Sequence, residues 1–173
     1  MAAPGNRRAL VAAAREVFAD AGFDAPLSAV TKKAGVGQGS LYRHFPDRIS
    51  LAIAVFEDNV AELEAVAADP SSTLDDLVAL ITERTTESVA FVDMVTPARD
   101  DPRIAAIVRR VEATIASSLR RARRTGEVRR SVRTADVMLA VSLVAALVAK
   151  TPAEQRRRTA DHAWSLLWHA LRP

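Results

Sequence analysis

Two short helical segments on either side of a glycine-rich turn constrain this 173-residue chain more than any other feature. The first segment repeats apolar residues at helical spacing, at Leu27, Val30 and Ala34, and is followed by Gly35-Val36-Gly37. One glycine can take the positive φ that ends a helix, and another can begin the next helix. The second segment, residues 38–45, has barely two turns and would not be stable alone in water. Both segments must therefore dock on neighbouring helices.

The second segment is expected to turn its polar side chains outward. Leu41 and Phe45 are four residues apart and share one side, which should face the core. The residues left outward are Gln38, Gly39, Ser40, Arg43 and His44. A polar helix docked after a glycine turn is the layout of a DNA-binding helix-turn-helix. An ordinary helical hairpin with a polar face is the alternative.

The order of residues in this region resembles one family. Three runs carry the resemblance, which covers roughly residues 7–60: Val30-Thr31-Lys32-Lys33-Ala34-Gly35-Val36, then Gly37-Gln38-Gly39-Ser40-Leu41-Tyr42-Arg43-His44-Phe45, then Pro46-Asp47-Arg48 with Leu51. They are similar to the N-terminal domain of TetR-type transcriptional regulators, with departures at Thr31, Gly37 and Ile49. The resemblance implies an all-α fold. A three-helix helix-turn-helix domain over residues 1–50 would precede a helical ligand-binding and dimerisation domain over residues 51–173.

We expect contacts with double-stranded DNA from two groups of side chains. Gln38, Ser40, Arg43 and His44 should reach the major groove, where glutamine can pair with adenine and arginine with guanine. Lys32, Tyr42 and Arg48 should lie near phosphates, the role of Arg48 being implied by the resemblance. The full expected set is Lys32, Gln38, Gly39, Ser40, Tyr42, Arg43, His44 and Arg48. Residues 1–50 carry a net charge of +3 and residues 51–100 one of −9, so the first segment suits DNA better.

Composition excludes several other kinds of protein. The chain has no cysteine, so it has no disulfide and no thiolate metal site. The longest apolar run, residues 137–149, is too short to span a bilayer, and we expect no membrane partner. We expect no signal peptide, because residues 1–6 lead directly into a charged amphipathic helix. We expect a cytoplasmic location, and the absence of cysteine is compatible with a reducing cytoplasm.

The rest of the chain divides into helices at local start and stop signals. Pro46-Asp47 is expected to open a fourth helix, with Asp47 as its cap. Thr73 with Asp76 resembles a capping box, which predicts a helix from Leu74. Another helix should run from Arg103 to about Arg124 and end at Gly126. The last two helices are predicted to start at a Thr134 cap and at Thr151-Pro152-Ala153-Glu154, and the final one should reach about Leu171.

The last two helices are unusually apolar, which favours a subunit interface. TetR-like regulators commonly dimerise through these helices, so the resemblance implies a homodimer. The interface residues expected on this basis are Val141, Val144, Val148, Trp164, Leu167, Trp168 and Leu171.

A small-molecule effector is the other expected partner, and it should be mainly hydrophobic. The candidate lining residues mix apolar walls with few polar groups, and each could equally fill the core. They are Thr85, Ser88, Phe91, Val92, Met94, Val111, Ile115 and Met138. We expect no enzyme, no catalytic residues, no metal and no cofactor, because the chain has no nucleophile elbow or phosphate loop and His162 with His169 lacks a third ligand.

The sequence therefore predicts a dimeric, ligand-responsive transcriptional repressor that binds a palindromic operator. The alternative is a helical small-molecule-binding protein with vestigial DNA affinity. The arginine-rich run from Arg120 to Arg133 could form a second DNA surface, but a solvated helix end with favourable cations is the simpler interpretation.

Overall fold

The structure, a computed structural model, describes residues 4–87, Val92 and residues 100–173. These residues form helices and no strand, which confirms the predicted all-α fold. None of the described helices is long and apolar enough to cross a membrane. The helices are α1 (Pro4–Ala21), α2 (Leu27–Ala34), α3 (Gln38–His44), α4 (Arg48–Ala68), α5 (Leu74–Glu87), α6 (Pro102–Thr125), α7 (Thr134–Ala149), a short 3₁₀ turn (Ala153–Gln155) and α8 (Arg156–Leu171).

Most helix ends coincide with the signals read from the sequence. Gly35 and Gly126 take the left-handed conformation at the ends of α2 and α6, with φ of 64° and 78°. The Asp47 carboxylate accepts the Ser50 amide at 2.7 Å and caps α4. The Thr73–Asp76 capping box is confirmed, because each side chain bonds the other residue's backbone amide.

Two predicted helix starts were wrong. Thr134 is the first residue of α7 and not its cap, since Arg133 holds the cap position and its amide donates to the Asp136 carboxylate at 2.7 Å. Residues 151–155 do not open α8. The Thr151 hydroxyl instead donates back to the Leu147 carbonyl at 2.8 Å, and a 3₁₀ turn separates it from the helix that begins at Arg156. Thr151 therefore contacts the end of α7, and Pro152 precedes the 3₁₀ turn rather than α8.

The buried apolar side chains form two clusters. The N-terminal cluster joins α1, α2, α3 and the first half of α4, and its large fully buried members include Leu10, Phe18, Leu41 and Leu51. The C-terminal cluster joins the second half of α4 to α5, α6, α7 and α8. The packing changes within α4, between Phe56 and Leu63. The domain boundary expected at residue 50 stays a prediction, but the N-terminal packing continues past it.

Helix α6 contributes to both clusters. Ile104 in its first turn is fully buried in the N-terminal cluster, and Ile115, three turns later, is fully buried in the C-terminal one. A helix of 24 residues is about 36 Å long, which is enough to serve both. The α6 helix therefore joins the two parts of the molecule as continuously as α4 does.

Ion pairs fasten α6 along the side of α4. Arg103 contacts the Asp47 carboxylate at 3.0 Å, at the N-terminus of α4. Arg110 reaches Glu57 at 2.5 Å and Glu64 at 2.8 Å, two turns apart on the same face. These partly exposed pairs each contribute little to stability, but together they define one register between the two helices.

Candidate nucleic-acid interface

Helices α2 and α3 form the predicted helix-turn-helix. The turn is closed by backbone bonds from the Gly35 amide to the Lys32 carbonyl at 3.3 Å and from the Val36 amide to the Thr31 carbonyl at 3.0 Å. Gly37 precedes α3 in an extended conformation with no side-chain cap. The second helix thus starts directly after the turn.

Helix α3 is held by its apolar side. Leu41 is 1% exposed and Phe45 is 3% exposed, and both belong to the N-terminal cluster with Val30 of α2. The Arg7 guanidinium of α1 lies 5.4 Å from the centre of the Phe45 ring. A seven-residue helix is too short to persist alone, so this docking fixes its position.

The solvent-facing side of α3 is polar. Gln38, Gly39, Tyr42 and Arg43 are all exposed, and Tyr42 shows 54% of its surface. Lys32 of α2 is also exposed. No hydrogen bond or ion pair within the described residues restrains the Gln38 or Arg43 side chain, so both can reach a partner.

Two residues expected on this face are less exposed than the others. Ser40 is 8% exposed, and its hydroxyl accepts a hydrogen bond from the Asn6 amide group at 3.4 Å. His44 is half-buried, and its Nε2 is buried without a hydrogen-bond partner in the part of the chain described. The expectation that Ser40 is outward was wrong, because Asn6 of α1 covers its hydroxyl group.

A cleft of about 250 Å³ lies between α2, α3 and the start of α4. Its lining includes Ser28, Gln38, Tyr42 and Arg48. Arg48 is nevertheless only half-exposed, and its Nη1 donates to the carbonyl oxygens of Phe23 and Ala25. The residue expected to contact a phosphate is therefore already engaged with the loop between α1 and α2.

Charges beside the helix-turn-helix are neutralised within the chain. The Lys33 ammonium lies 2.6 Å from the Glu16 carboxylate of α1, and this hydrogen bond raises the pKa of Lys33. Burial would raise the pKa of Asp47, but hydrogen bonds from Ser50 and Arg103 outweigh it and the pKa is lowered. Lys32 and Arg43 are exposed on the outer surface of this motif, and neither side chain has an ion pair within the described residues.

Most residues predicted for the subunit interface belong to the protomer's own core. Val144, Val148, Trp164 and Leu171 are between 0% and 8% exposed and lie in the C-terminal cluster. Val141, Leu167 and Trp168 pack against that cluster and are half-buried. The first four cannot face a partner in this fold, so that part of the prediction was wrong.

A different set of apolar side chains is exposed on the same two helices. Leu139, Leu143 and Leu147 follow one another at intervals of four residues on α7 and are 60%, 54% and 45% exposed. Leu166 on α8 is 61% exposed. We call these four residues the leucine stripe. Sequence reasoning missed it although the i, i+4, i+8 spacing was visible, because α7 is apolar on every side.

The predicted effector residues are partly brought together. Ile115 is fully buried, while Val111 and Met138 pack against the C-terminal cluster. Thr85 lines a narrow cleft between α5, α7 and α8, with Thr82 and Trp164 beside it, but its volume is only about 10 Å³. Val92 is helical and half-buried, whereas Ser88, Phe91 and Met94 lie outside the described residues. A drug-sized ligand does not fit this cleft without movement of the helices.

The arginine-rich run mainly ties the chain to itself. Arg121 donates to the Ala67 carbonyl at 2.7 Å, and Arg123 donates to the Val132 carbonyl. Arg129 donates to the Arg172 carbonyl at 2.6 Å.

Across the residues described, no three histidine or acidic side chains come close enough to hold a metal ion.

The chain is similar to known bacterial regulatory proteins. Residues 10–55 match the family model described as bacterial regulatory proteins, tetR family. The HTH-type transcriptional regulator UidR of Escherichia coli K12 is 26% identical over 174 residues, which cover 93% of this chain and 89% of UidR.

Solved structures match over nearly the whole chain. The TetR transcriptional regulator SCO0520 from Streptomyces coelicolor has a TM-score of 0.69 and 26% identity, and the match covers 96% of this chain and 98% of SCO0520. Salmonella enterica GusR has a TM-score of 0.66 and 22% identity, over 99% of this chain and 97% of GusR. The matched residues 10–55 contain the whole helix-turn-helix described above. UidR and SCO0520 are transcriptional regulators, and together with the match of residues 10–55 they support a DNA-binding transcriptional regulator of the TetR type for this chain rather than an enzyme.

Proposed function

We propose that this regulator is a repressor that binds a palindromic operator as a homodimer and releases it when a small molecule binds. The exposed face of α3, with Gln38, Gly39, Tyr42 and Arg43, carries the DNA-binding part of the proposal. Glutamine and arginine can each form two hydrogen bonds to one base edge, which distinguishes bases in the major groove. Lys32, which is exposed on α2, is the proposed phosphate contact beside them.

Gly39 supports a close approach of DNA to α3. Apart from its chain neighbours and the backbone of α3 itself, no atom of the described residues lies within 4 Å of the position that a Cβ would occupy there, and its φ is not in the left-handed region. A glycine inside a helix costs about 0.5–1 kcal/mol relative to alanine, and the fold gives no reason for that cost. The space would suit a base edge or sugar lying directly against the helix backbone.

The leucine stripe supports assembly with a second copy. Four large apolar side chains on two adjacent helices leave a surface that water solvates poorly. A two-fold axis through this surface would bury the same residues from both protomers. The two α3 helices of such a dimer should lie about 34–36 Å apart, which requires a palindromic operator.

The narrow cleft beside Thr85 and Trp164 is the proposed entry point of the effector. Its lining is mainly apolar, with the hydroxyl groups of Thr82 and Thr85 as the polar elements. A hydrophobic molecule would have to part α5 from α7, and this movement would reach the helix-turn-helix through α6. The ligand can weaken DNA binding only by its differential affinity for the two arrangements.

Selection of bound genomic fragments by the purified protein tests the proposal. We expect a palindromic sequence to be recovered. Gly39→Ala should raise the free energy of unfolding by about 0.5–1 kcal/mol yet weaken binding to that sequence, because the added methyl group meets the DNA. Opposite signs are the expected result, so tighter or unchanged binding would remove Gly39 from the interface.

Failure to recover any DNA sequence would favour the alternative, a helical small-molecule-binding protein with vestigial DNA affinity. The cleft at Trp164 is the observation that supports this alternative. The cytoplasmic location stays a prediction. It fits the proposed regulator, because a regulator of transcription works where the chromosome lies.

A further inference from the structure

Arg48 makes contacts that differ from those of a free phosphate ligand. It is the first residue of α4, and its side chain turns back to the loop that joins α1 to α2. Nη1 donates to the carbonyl oxygens of Phe23 and Ala25, each at 2.5 Å. The carbon of its guanidinium group lies 5.6 Å from the centre of the Phe23 ring. One side chain thus holds the loop by two hydrogen bonds and a cation–π contact.

These contacts need an arginine. The guanidinium group is flat, carries five N–H donors in a fixed plane and stacks on aromatic rings. A lysine ammonium can bond a carbonyl but is a point charge on a flexible stem, so it would not keep the same geometry. The carbonyl partners also offset the repulsion that a cation meets at the positive end of a helix.

The loop held by Arg48 is itself anchored in the N-terminal cluster. Ala25 is 4% exposed, and the Phe23 ring lies 5.9 Å from the ring of Phe18, which is 1% exposed. This loop leads directly into α2, and Arg48 follows α3 after only three residues. The Arg48 contacts therefore connect the segment before the helix-turn-helix to the segment after it.

We propose that Arg48 is a positioning residue that sets the orientation of α2 and α3. The inference rests on the proposed operator binding for its affinity measurement. Its role in the free protein does not depend on DNA. Removal of Arg48 should let the loop and the helix-turn-helix move relative to α4.

Arg48→Ala and Arg48→Lys, compared with the wild type, separate the two roles. Operator affinity is measured across a series of salt concentrations, well below the unfolding temperature and per folded molecule. We expect both variants to bind about tenfold more weakly or worse, because Arg48→Ala loses two charge-assisted hydrogen bonds and Arg48→Lys loses their fixed geometry. The slope of log affinity against log salt should stay at the wild-type value in Arg48→Lys, which keeps the positive charge.

Lys32→Ala is the matched control, because Lys32 is exposed and its side chain makes no hydrogen bond or ion pair within the described residues. For a true phosphate ligand, the slope should become shallower by about 0.9. A slope change of that size in Arg48→Ala, with wild-type affinity in Arg48→Lys, would overturn the proposal. Unchanged affinity in both Arg48 variants would also overturn it, since a purely structural contact would lower only the stability.

Hydrogen exchange of the free protein gives a readout that does not need DNA. Amides in residues 22–26 and in α3 should exchange faster in both Arg48 variants, while those of α7 and α8 keep their wild-type rates. Wild-type exchange rates in all of these segments would refute the proposed role of Arg48 in holding the loop. If the wild type itself selects no DNA sequence, the proposed operator binding fails, and the exchange result still decides whether Arg48 positions the helix-turn-helix.

Discussion

Ile104→Ala should loosen the DNA-binding part of the molecule although Ile104 belongs to α6. The Ile104 side chain is fully buried in the N-terminal cluster, so its truncation leaves a cavity there. Truncation of a fully buried isoleucine to alanine costs about 2–5 kcal/mol. Because about 1.4 kcal/mol is a factor of ten, local opening of α1, α2 and α3 should become roughly thirtyfold more frequent or more.

Ile115→Ala is the matched control. Ile115 is also fully buried and lies on the same helix, but it packs in the C-terminal cluster. Hydrogen exchange followed by mass spectrometry should show faster exchange in α2 and α3 for Ile104→Ala, and in α7 and α8 for Ile115→Ala. An identical pattern in the two variants would show that the clusters open as one unit, and the reasoning would be refuted.

Two further predictions concern assembly and acid stability. Leu143→Asp should give a folded monomer in sedimentation at micromolar concentration, because it puts an unpaired charge in the leucine stripe. Ala61→Asp, on the exposed side of α4, is the control and should remain dimeric. A monomeric wild type would contradict the proposed dimer. The side-chain hydrogen bond from Arg103 lowers the pKa of Asp101 from 3.8 to about 2, so its contribution to stability is present above pH 4 and is lost as the pH falls towards 2. Asp101→Asn keeps a capping oxygen but not the charge, and should therefore flatten the dependence of unfolding free energy on pH in that range, as measured by denaturant titration; an unchanged slope would exclude the ion pair as a source of acid sensitivity.

Local signals allowed much of the fold to be predicted from the sequence. The end of α2 at Gly35, the cap at Asp47 and the capping box at Thr73 each depend on side chains within three or four residues of the helix end. The helix-turn-helix was predictable for the same reason, since its turn and its two apolar anchors lie within one short stretch. Thr134 and Thr151 were misassigned because more than one nearby residue could satisfy the same backbone groups.

Contacts between distant segments account for what could not be predicted. The partners of Arg48 lie more than twenty residues before it, and nothing beside it in sequence distinguishes a loop tether from a phosphate ligand. Ser40 is covered by Asn6 of α1 in the same way. On α7 every face is apolar, so periodicity could not separate the core side at Val144 from the exposed side at Leu143.

The sharing of α6 between the two clusters limits how this regulator can be recombined with others. A chimera that exchanged only residues 1–50 would keep the native Ile104 and Arg103, which would then meet a foreign cluster and a foreign α4 cap. Such a hybrid would have mismatched contacts between α6 and the N-terminal cluster even if both parents were stable. An exchange that includes the first turns of α6 with the N-terminal segment would keep these contacts. A transfer of DNA specificity to or from this protein therefore has to exchange two separate segments of the sequence.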